Sequence, residues 1–317
     1  MRVLFWGTPE FATPALRALI GEGFEVVGAV TQPDRPVGRS RSMVQSSPVK
    51  QIAVDEGIPI LQPERPRGDD FVAELSGLSP DLSVVVAYGH ILPKAVIDLP
   101  ARGTVNIHGS LLPSLRGAAP IQAAIRHGFV ETGVTIMRMV PALDAGPIIL
   151  QARTEVLEDE TYGELSLRLS ELGALTLVEA LTLMELGDSR EQSQDDSLAT
   201  YAHKIDRSTA WVDWNASAAN VCRLIRSLDP KPGAVTMLRG SEVKLFGAKL
   251  APHRVSTMPG QIQSIDEDGL TVACGEGAAR ITVVQPAGKR RLLPNEWAHG
   301  RGAAVGDRFE TAPAAVS

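Results

Sequence analysis

Short apolar runs alternate with helical patterns through the first half of the chain, and this alternation limits the possible folds most strongly. Three runs have the length and β-branched content of buried strands: Arg2–Trp6, Glu25–Thr31 and Leu82–Ala87. Thr8-Pro9 places a capping hydroxyl before a proline and predicts a helix that ends at Gly21. Ser47-Pro48 repeats this signature before a helix that runs to about Gly57. The pattern predicts an α/β domain with a parallel sheet covered by helices on both faces.

The second half of the chain has a different organisation. Tyr162–Leu186 predicts a long helix that closes the first domain, and a stretch rich in Ser, Asp and Gln follows it. After a helix expected over about residues 216–228, five short runs are strand-like: Ala234–Leu238, Glu242–Leu250, Gly260–Ile265, Leu270–Ala273 and Arg280–Gln285. Such strands predict a small β-barrel. We expect a first domain over residues 1–187, a linker over 188–207 and a second domain over 208–317.

One connection in the first domain is unusually long. Gln32–Ser47 joins the second predicted strand to its helix, whereas such loops are usually two to six residues long. It carries Arg35, Arg39 and Arg41, with Asp34 as the acidic counter-charge. This composition favours contact with an anion, although a solvated loop without a function is the alternative.

The overall composition excludes several classes of protein. A length of 317 residues fits two domains, and 44% hydrophobic with 21% charged residues is ordinary for a chain with a full core. The two cysteines, Cys222 and Cys274, are too few for a disulfide framework or a thiolate metal cluster. No run approaches the ~18 apolar residues of a membrane span. A cytoplasmic protein is therefore expected.

The charge is distributed unevenly. The net charge is −6, but the balance is −9 up to Arg207 and +3 from Ser208 onward. In the second domain, five basic residues lie on the predicted helix and early strands: Arg223, Arg226, Arg239, Lys244 and Lys249. If they line one face, they would contact a phosphate backbone; chance variation between domains is the alternative.

The candidate chemistry lies at the end of a further predicted strand. The sequence holds no phosphate-binding glycine loop, no nucleophile elbow and no metal-ligand spacing among its six histidines. Thr104–His108 is strand-like, so Asn106 and His108 face the same side at its carboxyl end. Both can donate to a developing oxyanion. A carboxylate that orients the histidine could come from Asp144. Structural roles for the three residues, a turn in the case of Asp144, are the alternative.

A resemblance to a known family gives these residues a more specific meaning. Four segments, in order and at family spacing, resemble the formyltetrahydrofolate-dependent formyltransferases: Gly103–Pro113, Arg116–Gln122, Glu131–Met137 and Leu143–Gly146. Further segments resemble the methionyl-tRNA formyltransferases within that superfamily: Gly7–Ala12, Thr31–Pro36 with Gly38-Arg39, Ser47–Lys50 and Gln285–Lys289. The resemblance covers nearly the whole chain, and its central motifs are specific.

The resemblance implies a fold, a reaction and a set of residues. It implies a Rossmann-like formyltransferase domain, followed by a C-terminal OB-like β-barrel that binds tRNA. The expected reaction moves the formyl group of 10-formyltetrahydrofolate to the α-amino group of methionyl initiator tRNA, giving N-formylmethionyl-tRNA for translation initiation. The implied residues are catalytic Asn106, His108 and Asp144, folate-contacting Ser110, Leu111, Leu112 and Pro113, and tRNA-contacting Arg39, Arg41 and Lys204. No metal and no obligate protein partner are expected.

Other functions remain open on sequence grounds. A formyltransferase of the same superfamily could act on glycinamide ribonucleotide or an amino-sugar nucleotide. The former would need a Gly/Ser-rich loop after the first strand, where this chain has Gly7-Thr8-Pro9-Glu10. A formyltransferase that acts on an amino-sugar nucleotide would not be expected to carry the arginine-bearing loop Gln32–Ser47. A non-catalytic tRNA-binding protein would lack one of the three catalytic residues, and a formyltetrahydrofolate hydrolase would not need an acceptor-binding domain.

Overall fold

The structure is a computed structural model that describes residues 1–37, 43–252 and 258–311 of the chain. It divides into two compact units. The first comprises Met1–Pro120, Glu131–Glu155 and Ser166–Ala202, and the second comprises Ile121–Val130, Val156–Leu165 and His203–Ser317.

The strands and helices of the first 202 residues follow the alternation that the sequence predicts. The strands are β1 Arg2–Gly7, β2 Glu25–Val30, β3 Arg35–Val37, β4 Met43–Gln45, β5 Ile60–Leu61, β6 Leu82–Val86, β7 Thr104–His108, β8 Arg116–Gly117, β9 Glu131–Arg138, β10 Ile148–Glu155 and β11 Tyr201–Ala202. The α-helices are α1 Thr13–Gly21, α2 Pro48–Asp55, α3 Asp69–Gly77, α4 Lys94–Ile97, α5 Pro120–His127 and α6 Tyr162–Leu186.

A seven-stranded sheet forms the centre of the first unit, in the order β10-β9-β7-β6-β1-β2-β5. The five strands from β7 to β5 are parallel, and β9 and β10 join antiparallel at one edge. This confirms the predicted α/β class with a parallel-rich sheet. The strand order was not readable from the sequence because it depends on pairing between distant segments.

Alternate residues of β1, an inner strand of this sheet, enter two separate cores. Val3 and Phe5 of β1 pack with residues of α1, α2 and α6. Leu4 and Trp6 pack with residues of α3 and α4, and the Trp6 ring makes an edge-on contact with Tyr88, with centroids 5.2 Å apart. Both faces of the sheet are therefore covered by helices, as in other parallel sheets.

The first helix does not begin where the sequence pattern places it. Glu10–Ala12 forms a 3-10 helix, and the α-helix begins only at Thr13. The Thr8 hydroxyl is not a cap, because it donates to the Tyr88 carbonyl at 3.3 Å and accepts from the Gln32 N–H at 3.2 Å. The Ser47 prediction is correct, since its hydroxyl accepts from the Lys50 N–H at 3.1 Å.

The long connection Gln32–Ser47 contains a small hairpin in which β3 pairs antiparallel with β4. Arg39 and Arg41 lie outside the described residues. At the base of the hairpin, Lys50 Nζ donates to Asp34 at 2.5 Å. This hydrogen bond and a second one from Gln62 hold the pKa of Asp34 below its ordinary value. Asp34 is thus bound to Lys50 at the base of the hairpin.

The predicted linker is partly built into the first unit. Gln192 exchanges backbone hydrogen bonds with Ile148, both at 2.8 Å. A 3-10 helix follows over Asp196–Leu198, and β11 then pairs parallel with β8. Residues up to Ala202 therefore belong to the first unit, although their composition is that of a linker.

The second unit contains a five-stranded antiparallel sheet in the order β12-β13-β16-β15-β14. Its elements are α7 Ala218–Ser227, β12 Ala234–Leu238, β13 Ser241–Ala251, β14 Ile262–Asp266, β15 Gly269–Ala273, β16 Ala278–Pro286 and α8 Pro294–His299. Single bridges join Met237 of β12 to Glu310, and Gln261 beside β14 to Arg308. One short segment thus contacts both edges of the sheet, while the closed barrel stays a prediction.

Candidate active site

Asn106 and His108 lie on the same face of β7, next to the carboxyl end of the strand. Val105 and Ile107, which alternate with them, are buried in the core beside α6. β7 lies between β6 and β9, and Asn106 is in register with Val85 and Met137. The Asn106 side chain is half-buried, and its amide has no hydrogen-bond partner among the described residues. This amide is therefore free to donate to a bound molecule.

Both ring nitrogens of His108 face protein groups. The side chain is buried, and Nε2 lies 3.0 Å from the carbonyl oxygen of Leu115. Because a carbonyl only accepts, Nε2 carries a hydrogen in this arrangement. Nδ1 lies 3.7 Å from Asp144 Oδ2, which is ion-pair distance. The Asp144 carboxylate therefore faces Nδ1 and helps to hold the ring in this orientation.

Asp144 enters the site from the loop between β9 and β10. Its Oδ2 accepts the backbone N–H of Gly117 at 2.8 Å, whereas Oδ1 has no donor among the described residues. Gly117 has a φ of +117°, and a Cβ there would lie 2.6 Å from the carbonyl oxygen of Ala202. Only glycine fits this approach without displacing the backbone. The free oxygen of Asp144 is available to a proton donor in the site.

Gln194 holds the backbone of the Asp144 loop, and Arg116 holds Gln194. The sequence did not assign either residue to the site. Gln194 Nε2 donates to the carbonyl oxygens of Asp144 and Gly146, at 2.8 Å each. The guanidinium of Arg116 donates to Gln194 Oε1 at 3.0 and 2.8 Å. Gln194 lies in the polar stretch interpreted as a linker, and nothing in that composition indicates a contact with a residue 50 positions earlier.

The segment Ser110–Pro113, expected to contact folate, follows β7 directly. The buried Ser110 hydroxyl donates to the Ser114 carbonyl at 2.6 Å. Leu112 is also buried, and its carbonyl accepts from Gln151 at 2.9 Å. Leu111 and Pro113 are partly exposed. The side chains available to a ligand in this segment are therefore those of Leu111 and Pro113.

Of the three residues expected to contact tRNA, the structure describes only Lys204. Arg39 and Arg41 lie outside the described residues, and Lys204 is an exposed residue of the second unit. Of the basic residues in the second unit, Arg226 and Lys249 form ion pairs with Asp159 at 3.6 and 3.3 Å. Arg239 pairs with Asp307 at 2.6 Å. These three cations therefore already have carboxylate partners, and the alignment of the five basic residues on one face stays a prediction.

Arg223 differs from these three residues in its surroundings. It lines a cavity of about 450 Å³ in the second unit together with Arg126, His127 and Trp211. Neither Arg126 nor Arg223 has a carboxylate partner among the described residues. Asp213 also lines the cavity, but its Oδ1 accepts from Asn215. Two guanidinium groups without a carboxylate partner among the described residues therefore line this cavity.

No group of three or more His, Cys, Asp or Glu side chains is arranged to hold a metal ion within residues 1–37, 43–252 and 258–311. In the same part of the chain, no helix is both long enough and apolar enough to cross a membrane.

Family comparisons cover both units. Residues 1–181 match the model for "Formyl transferase", and residues 204–302 match that for "Formyl transferase, C-terminal domain". A methionyl-tRNA formyltransferase of Marinobacter nauticus is 43% identical over 95% of this chain and 96% of its own. One of Pseudomonas putida is 47% identical over 91% of this chain and 93% of its own.

Among solved structures, HypX from Aquifex aeolicus in complex with tetrahydrofolic acid has a similar fold. The TM-score is 0.67 at 19% sequence identity, and the alignment covers 96% of this chain and 48% of HypX. At this identity the likeness concerns the fold alone, whereas the curated relatives are similar in sequence over nearly their whole length. The chain therefore belongs to the formyl transferase family and, within it, to the methionyl-tRNA formyltransferases.

Proposed function

We propose that this chain transfers the formyl group of 10-formyltetrahydrofolate to the α-amino group of methionyl initiator tRNA, which yields N-formylmethionyl-tRNA for translation initiation. The observation that carries the proposal is the site at the end of β7. It combines the free amide of Asn106 with a His108–Asp144 pair in a chain that is 43% identical to a methionyl-tRNA formyltransferase over 95% of its length.

The folate donor fits the edge of this site. When bound, it supplies an activated formyl group. Leu111 and Pro113 offer partly exposed apolar surface immediately after His108, suited to a flat ring system. Ser110 and Leu112 support this segment from inside, because their polar groups are already hydrogen-bonded within the protein.

Asn106 is the residue best placed to stabilise negative charge. Attack by the amine forms one C–N bond and places charge on the formyl oxygen before the bond to folate breaks. A donor aimed at that oxygen is typically worth ~3–4 kcal/mol. The Asn106 amide is such a donor without prior rearrangement. His108 would first have to exchange its hydrogen bond with the Leu115 carbonyl for one with the substrate.

His108 and Asp144 together account for the protons. The amine nitrogen must lose a proton, and the departing folate nitrogen must gain one. Asp144 Oδ1 can accept the first, since it has no donor among the described residues. The Asp144 carboxylate also keeps His108 oriented through its contact with Nδ1. The proton that Asp144 takes up can then be passed to the departing folate nitrogen.

We propose that the tRNA is held by several separate groups. Arg39 and Arg41 of the hairpin connection would contact the acceptor arm, and Lys204 the 3′ end. In the second unit, the cavity lined by Arg126 and Arg223 would hold backbone phosphates. Residues 1–187 would thus carry the catalytic side chains, and residues 208–317 would add tRNA contacts through Arg223.

A direct assay tests this function. Purified protein is incubated with 10-formyltetrahydrofolate carrying a labelled formyl group and with methionyl initiator tRNA, and the label is followed into the aminoacyl-tRNA. Amino-sugar nucleotides and glycinamide ribonucleotide serve as parallel acceptors. We expect label only on the methionyl-tRNA. Transfer to a small amine alone would overturn the proposal.

A further inference from the structure

We infer that Gln194 is a positioning residue for formyl transfer, because it holds the backbone of the loop that carries Asp144. This inference rests on the proposed function. Gln194 donates to two carbonyls of this loop, those of Asp144 itself and of Gly146, each at 2.8 Å. A single side chain thus fixes the loop at the reacting residue and two residues beyond it.

Arg116 determines which way the Gln194 amide points. Arginine has donors and no acceptor, so it must face the oxygen of that amide and leave the nitrogen toward the loop. Two guanidinium nitrogens donate to Gln194 Oε1, and a further bond of 2.7 Å goes to Asp196. Arg116 is itself buried, and its neighbour Gly117 binds the Asp144 carboxylate. The same short strand, β8, therefore supports Asp144 directly and through Gln194.

The backbone of Asp144 needs such support. Its φ is +48°, in the left-handed region that residues other than glycine rarely adopt. Such a conformation persists only where the surroundings fix it. At Gly146, the chain passes so close to β9 that a Cβ would lie 1.8 Å from the Arg138 carbonyl oxygen. Without Gln194, we expect the carboxylate to move away from His108, since the present distance of 3.7 Å depends on this backbone position.

The test compares Gln194→Met with the matched control Gln192→Met. Both replace an amide by an apolar group of similar length in the same segment, but the exposed Gln192 contacts Ile148 only through its backbone. We expect Gln194→Met to lower kcat by about 10- to 100-fold, the usual effect of a small displacement of a reacting group. The KM for the folate should stay within about a factor of three, and Gln192→Met should resemble the wild type.

A second comparison separates positioning from a merely structural role. In an Asp144→Asn background, adding Gln194→Met should cost little further activity in single-turnover measurements, because both changes act on the same carboxylate. If Gln194→Met melts early, Gln194→Glu keeps the shape and the acceptor for Arg116 while removing the donors, and it should show the same loss of kcat. Unchanged kcat in a folded Gln194 variant, or fully additive losses, would overturn the inference. A wild-type protein without transfer would overturn the proposed function and this inference with it.

Discussion

Asp144 is the residue whose charge can be removed with little change in shape. In Asp144→Asn, one side-chain oxygen can still accept the Gly117 N–H, so the loop should keep its place. The negative charge beside His108 and the proton acceptor are lost. We expect formyl transfer to fall by about 10²- to 10⁴-fold, with the melting temperature changed by less than about 3 °C. Steady-state kinetics and thermal unfolding check this, and near-normal turnover would remove Asp144 from the chemistry.

Asn106 makes a different contribution from that of Asp144. Asn106→Ala removes a half-buried donor that has no other partner among the described residues, so folding should be little affected. The chemical step, measured in single turnovers at saturating folate, should slow by about 10²- to 10³-fold. The folate dissociation constant is the control. A change confined to that constant would place Asn106 in binding instead of catalysis.

The two cysteines are expected to be inert in the folded protein. Burial raises the pKa of the Cys222 thiol to about 11 and that of Cys274 to about 12. At pH 8 both are protonated, and the thiolate is the reactive form. We expect no labelling by a thiol reagent in the native protein and two labels per chain in denaturant. Rapid native labelling at either position would show that the core of the second unit opens readily.

At the level of elements, the hairpin connection allows a clear test of tRNA recognition. Arg39→Ala should raise the KM for methionyl-tRNA by about 10-fold, because a guanidinium binds phosphate or base edges through paired hydrogen bonds. The folate KM should not change. Arg17→Ala is a matched control, since Arg17 is an exposed arginine on α1. Equal effects of the two substitutions on tRNA use would remove Arg39 from recognition.

Sequence patterns predicted the elements well where local signals agree with the fold. Tyr162–Leu186 is a helix with the predicted bounds, and Ser47 caps α2 as its position before proline indicates. Thr8 carries the same signal, but contacts with Gln32 and Tyr88 outweigh it, and those residues are distant in sequence. α8 was missed because its six residues are too few for a clear periodicity.

Prediction of the site was limited by contacts between residues that are distant in sequence, as it was for Thr8. The strand alternation of β7 correctly places Asn106 and His108 on one face, and the structure brings Asp144 to His108. The contacts of Gln194 with Asp144 and Arg116 join segments 50 and 78 residues apart. Local composition cannot reveal such pairings, because they depend on how the whole unit folds.

For the whole molecule, the salt dependence of tRNA binding tests how the second unit contributes. Arg223→Met should weaken tRNA binding and reduce the slope of log affinity against log salt by about 0.7–0.9, the value for one lost phosphate contact. Arg239→Met is the matched control, because Arg239 is already neutralised by Asp307. Folate binding should be unaffected in both. Identical slopes for the two variants would show that the cavity beside Arg126 does not hold phosphate.

The ordered end of the predicted linker has a consequence for synthesis of the protein. Gln194 and the strand β11 complete the first unit, yet the ribosome makes them well after Asp144. At about 5–20 residues per second, the nascent loop waits on the order of several seconds for these supports. During that interval the large sheet can already form, but the Asp144 carboxylate has no fixed position beside His108. The emerging polypeptide should therefore acquire its shape first and its catalytic competence later, when residue 202 has left the exit tunnel.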